Sequence, residues 1–169
     1  MTLLPYKTTH PRLADDVFVA KGATVIGDVT MASGSSIWFN CTVRGDMQPI
    51  RIGRDSNIQD NTVIHIASQG LGTVIGDRVT VGHSAIIHAC QLQDESFVGM
   101  GAIILDGCVV ESGAFIAAGA LLPPHTRAEA GMLWAGNPAR ALRALNDTEK
   151  KLIKETPRIY KSLARDYRS

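Results

Sequence analysis

From Val19 onward an apolar residue recurs at every sixth position: Val25, Met31, Ile37 and Val43, then, after an interruption, Ile52, Ile58 and Ile64. A second interruption precedes Ile75, Val81 and Ile87, and the series closes with Leu92, Val98, Ile104, Val110, Ile116 and Leu122. Four residues after most of these stands a small or β-branched residue, among them Ala23, Cys41, Thr62, Ala85, Ala102 and Cys108; Met47 and Gln91 are exceptions. A period of six fits neither an amphipathic helix nor an ordinary hairpin meander. It predicts a short strand and a corner, with three such units per coil. Successive coils would stack in parallel about 4.8 Å apart. Each large aliphatic residue then points inward onto its equivalent in the next coil, and the small residue fits the tight corner.

The absence of proline between Pro49 and Pro123 agrees, because every N–H of a stacked coil serves a ladder. The last stretch differs. From Pro138 to Ser169 there are nine basic and four acidic residues, a net of +5, whereas the rest of the chain has eight basic and twelve acidic, a net of −4. We place a prism domain over 1–136, with repeats over about 17–126, and a C-terminal helical segment over 137–169 that lies along the prism. In that segment Leu152, Ile159, Leu163 and Tyr167 fall near one helical face, and Asn146 or Asp147 suits the N-cap. Thr156-Pro157 leaves open whether there is one helix or two.

Composition sharpens this picture. Aromatics are only 5% of residues while glycine contributes 16, as a narrow prism with no room for rings requires. A net charge of +1 argues against nucleic-acid binding through a basic surface. No apolar stretch reaches the roughly 18 residues of a membrane span, and the first residues lack the apolar region of a signal peptide. Three unpaired cysteines suit a reducing, cytoplasmic setting. Cys41 and Cys108 occupy corner positions, and Cys90 reads as an interior filler.

Counting coils gathers the histidines. Val43, Ile64 and Ile87 lie three hexapeptides apart, once the insertions are allowed for, so they share a face. The residues that follow them, Arg44, His65 and His88, should form an outward column on adjacent coils. Two imidazoles about one coil apart can converge on one ion. His83 sits on the preceding face, so its route to the same ion is through a neighbouring subunit, and a cyclic trimer would repeat that contact three times. A monomer could not readily assemble all three ligands. His10 and His125 fall outside the group.

The strings Arg44-Gly45-Asp46, Asn57-Ile58-Gln59-Asp60-Asn61, His65, Gly82-His83 through His88-Ala89-Cys90, and Gly99-Met100-Gly101 resemble the gamma-class carbonic anhydrase-like family over essentially the whole chain. The hexapeptide pattern is similar to the left-handed parallel β-helix of hexapeptide-repeat proteins, and the handedness comes from that resemblance alone. It implies a mainly β fold and a homotrimer with metal at each interface, bound by His65 and His88 of one subunit and His83 of the next. Zn2+ would be the ion, with Fe2+ or Co2+ accepted by the same imidazoles. Arg44 and Asp46 would pair at the interface, and Gln59 would orient the metal-bound solvent with support from Asp60 and Asn57. Tyr160 would approach from the terminal helix. The implied activity is reversible hydration of CO2 to bicarbonate by a metal-bound hydroxide. Its solvent would have a pKa of about 7, the general value for zinc-bound water in carbonic anhydrase.

One segment departs from the best-known active members. Ile66 to Gly72 contains no carboxylate to shuttle protons, which predicts slow turnover. Two other readings use the same features. The metal trimer could serve another small-molecule reaction, such as thioester hydrolysis, or a binding role. Alternatively the chain could be a hexapeptide acyltransferase with a single histidine base. The histidine trio separates these, since an acyltransferase needs only one.

Overall fold

The computed structural model describes residues 1–168 as a parallel β-helix of about seven turns followed by a single helix. Three faces repeat in order. The first carries Thr2–Leu4, the front halves of Thr24–Met31 and Thr42–Ile52, then Val63–His65, Ile86–His88, Ile103–Ile104 and Leu121–Leu122. The rear halves of the two long strands pass onto the second face, where Thr73–Ile75, Gln91–Leu92, Val109–Val110 and Arg127–Ala128 continue. The third runs from Phe18–Val19 and Ser36–Ile37 through Asn57–Ile58, Thr80–Val81, Phe97–Val98 and Phe115–Ile116 to Met132–Gly136.

The predicted register is the observed one. Val25 pairs with Val43, Val43 with Ile64, Ile64 with Ile87, and Ile87 with Ile104. These inward residues are fully buried and form one core with the corner residues Ala23, Cys41, Ala85, Ala102 and Cys108. Corners between the third and first faces turn through left-handed backbone at Asn40, Asn61, Ser84, Gly101 and Gly119. Glycine and asparagine tolerate that conformation at little steric cost. The amides of Asn61, Ser84, Gly101 and Gly119 donate to the coil before, for example Ser84 N–H to the Asp60 carbonyl and Gly101 N–H to the His83 carbonyl, both at 2.8 Å.

The tail differs from the sequence reading in two respects. Ala139–Ala144 is a strand, antiparallel to Met132–Gly136, and it covers the edge of that strand on the third face. Only Asp147–Arg168 is helical, and it runs unbroken through Pro157. Asn146 is the N-cap: Glu149 N–H donates to Asn146 Oδ1 and Asn146 N–H to Glu149 Oε2, each at 2.9 Å, a reciprocal capping box. The helix face that buries is Ile153, Pro157 and Ala164, with Tyr160 half-buried, while Leu152, Ile159, Leu163 and Tyr167 remain largely exposed. The docking ledge explains this choice. Aromatics excluded from the prism collect outside the third face, where Phe18 and Trp38 receive Ala164 and Tyr160, and Phe115 and Leu133 receive Ile153. Tyr167, although exposed, still lies edge-on to Trp38 at 5.6 Å.

Candidate metal centre

Stacking explains the site. Because Ile64 lies under Ile87, His65 lies under His88, and their Cα positions pair directly. The imidazoles face each other with His65 Nδ1 3.3 Å from His88 Nε2. Each ring's other nitrogen meets a carboxylate. His65 Nε2 is 3.3 Å from Asp46 Oδ1, and His88 Nδ1 is 2.5 Å from Asp106 Oδ1. Four successive coils thus contribute a line of carboxylate, imidazole, imidazole and carboxylate.

A carboxylate only accepts, so each outer nitrogen is best protonated and each inner one left with a lone pair. Two lone pairs facing one another call for a cation between them. Nitrogens each about 2.0–2.1 Å from a tetrahedral zinc stand about 3.3–3.4 Å apart, which matches the observed separation. The donor set therefore fits a divalent metal. Burial, with the Arg44 charge adding to it, pushes the His65 pKa below the usual imidazole value and keeps the ring neutral, as a ligand must be. Burial alone would raise the Asp46 carboxyl, but the hydrogen bond and charge of Arg44 outweigh it and hold the group below the usual carboxylate range.

The second half of the candidate site stands on the corner between the third and first faces. His83 follows Asp60 one coil later at that corner, and its Nδ1 is 2.8 Å from Asp60 Oδ2. Asp60 Oδ1 also accepts the Phe39 amide at 3.3 Å, so its geometry serves both a corner and a histidine. The Tyr160 hydroxyl reaches from the helix to 3.4 Å from His83 Nε2. Burial, followed by the Asp60 charge, raises the Tyr160 pKa.

Beside them runs a buried amide relay. Thr80 stacks on Asn57. Asn57 Nδ2 donates to Thr80 Oγ1 at 3.0 Å and towards the Val79 carbonyl at 3.4 Å. A carbonyl only accepts, which fixes Asn57 Oδ1 on the Gln59 side, where Gln59 Nε2 donates to it at 3.1 Å. Gln59 is thereby turned with Oε1 as its outer end.

One chain brings His65 and His88 together and holds His83 apart with Asp60, Gln59 and Asn57. Among the described residues, no three His, Cys, Asp or Glu side chains of one chain are grouped to hold a metal ion. Arg44 heads the column as expected, but its guanidinium turns to Asp46 of the same chain. Exposed His10 and His125 stand outside the group. The sequence reading missed Asp106 and Thr80. Thr80 was reachable by counting one coil on from Asn57. Asp106 was harder to find, because the unit from Ile87 to Leu92 is one residue short and the acid falls one position beyond the column.

The comparisons bear on this arrangement. No protein-family model matches the chain. The carbonic anhydrase of Geobacillus kaustophilus is 38% identical, covering 99% of this chain and 91% of that protein. This chain belongs to the gamma carbonic anhydrase family. Gamma carbonic anhydrases are lyases. Mitochondrial gamma carbonic anhydrase 2 of Arabidopsis thaliana is 47% identical over 99% of this chain, which spans 62% of that relative's length. The fold is shared with the crystal structure of a hexapeptide transferase family protein from Anaplasma phagocytophilum, at 42% identity, a TM-score of 0.94 and coverage of 98% of each chain. Among the described residues no helix is long and apolar enough to cross a membrane.

Proposed function

We propose that the chain hydrates CO2 reversibly to bicarbonate at a divalent metal, zinc or its Fe2+ or Co2+ equivalent, shared between subunits of a homotrimer. The observation that carries this reading is the pair of imidazoles of His65 and His88, nitrogen to nitrogen at 3.3 Å and bracketed by Asp46 and Asp106. His83 of a second subunit supplies the third ligand. Outward-facing Val63, Ile86 and Met100, at 42%, 40% and 60% exposure, surround these histidines and suit coverage by that subunit. When bound, the metal would make water a nucleophile near neutral pH.

The chain's own residues do the rest. Gln59 Oε1 accepts a hydrogen bond from the attacking water and aims its remaining lone pair at the carbon of CO2. Asn57 and Thr80 hold that amide in the accepting sense. Asp60 keeps His83 turned with Nε2 outward, and Tyr160 crosses that nitrogen from the helix side. As the water oxygen bonds to carbon, one proton must leave. The exposed loop at Ser68, Gln69 and Gly70 offers no carboxylate to carry it, so the proton passes to buffer and turnover is slow.

The acyltransferase reading has on its side that the Anaplasma neighbour is named a hexapeptide transferase family protein. Three histidines, each backed by its own carboxylate, exceed what a single general base needs. Stopped-flow CO2 hydration by zinc-replete protein tests the proposal. We expect buffer-dependent hydration that falls to background in His83→Ala. Zinc-replete protein with no hydration above background, or His83→Ala at the full rate, contradicts it.

A further inference from the structure

Each histidine of the trio has two ring nitrogens, and only one can face an ion. What selects it decides whether the pocket is ready for metal or must first rotate a ring or move a proton. His65 is turned by Asp46 and His83 by Asp60, both in segments that the sequence already marks. His88 is turned by Asp106, from the coil above, at 2.5 Å from Nδ1. Ile87 pairs with Ile104, so the direct equivalent of His88 on that coil is Leu105, and Asp106 reaches back diagonally over Ala89. Its backbone is held by the corner: Gly107 N–H donates to the Ala89 carbonyl at 2.8 Å, and the Asp106 carbonyl accepts the His125 N–H at 2.8 Å.

We propose that Asp106 is a positioning residue of the metal centre: it accepts a hydrogen bond from His88 Nδ1–H and leaves Nε2 as the bare donor opposite His65 Nδ1. A carboxylate can only accept from the ring, so it enforces one tautomer. An asparagine in its place can donate, and then holds the ring with Nε2 protonated and pointing at the ion. Backing carboxylates of this kind set both the orientation and the basicity of a ligating imidazole, and their loss costs about 10–100-fold in metal affinity. The inference rests on the metal reading above, and two measurements keep the two separable.

The first is the Zn2+ affinity of full-length protein, by chelator competition. Asp106→Asn should bind about 10–100-fold more weakly than the unmodified chain, with Asp106→Glu recovering part of the loss. The second is the His88 tautomer, read from imidazole 15N shifts of the unmodified, metal-free protein, where Nδ1–H is expected. Unchanged affinity in a folded Asp106→Asn protein overturns the role of Asp106. So does an Nε2–H tautomer in the unmodified protein, which decides the matter even if every variant fails to fold. Failure of the unmodified protein to bind Zn2+ sinks the metal reading itself, and the tautomer still reports on the Asp106 contact.

Discussion

At the scale of single residues, the site is built from ordinary hexapeptide positions given polar side chains. His65 and His88 occupy the slot just past an inward isoleucine, and Asn57 the slot just before one. That much was legible, because a strict register assigns every residue a face before any contact is known. The cysteines were legible for the same reason. All three are buried, and burial pushes their thiols up, Cys41 to about 11. Few thiolates are then present at neutral pH, and a thiol is a poor nucleophile. The folded protein should therefore resist iodoacetamide at pH 8 and take up three equivalents only after denaturation. Stoichiometric alkylation of the native protein would show that these positions are not core fillers. Asp106 was not legible. Its importance depends on which coil is short by one residue and on a diagonal reach that register alone does not describe.

At the scale of elements, period and breakers located the coils, while the tail was read only in outline. Its apolar residues form two stripes, and composition favours Leu152, Ile159 and Leu163 over the one that buries. The choice is made by the aromatic ledge of Phe18, Trp38 and Phe115, residues that lie far from the helix in sequence. The helix start, by contrast, is a local matter. Asn146 and Glu149 cap each other, and Arg143 adds two contacts of 2.8 Å to the Glu149 carboxylate. The Arg143 hydrogen bond, against some burial, holds the Glu149 pKa below its ordinary 4.5. The group gains no proton on folding and is deprotonated more readily in the folded chain. Its stabilisation is therefore complete above the unfolded value and lost as pH falls through the lower folded one. Glu149→Ala should cost about 1 kcal/mol at pH 7 by chemical denaturation. The gap to the unmodified protein should narrow as pH falls below 4.5 and close once pH is beneath the lower folded value. A gap that is constant with pH would mean that the carboxylate charge contributes nothing.

At the scale of the whole molecule, the prism separates what the proposed chemistry must unite. One chain places two imidazoles on one face and the third at a different corner, with its supporting Asp60, Gln59 and Asn57. The proposed trimer, with the first face of one prism against that corner of the next, would resolve the separation three times over. The coil count leads to this arrangement from the sequence, because His83 falls on the wrong face for its own column. Complementation tests the shared site most directly. Metal-free His65→Ala and His83→Ala proteins, each unable to complete a site alone, are dissociated, mixed in equal amounts and reassembled before Zn2+ is counted. Random assembly places an intact His65–His88 pair against an intact His83 at about a quarter of interfaces, so metal should return to about that fraction of sites. If the mixed assemblies recover no metal, or if either variant alone binds it fully, the site is not shared between subunits.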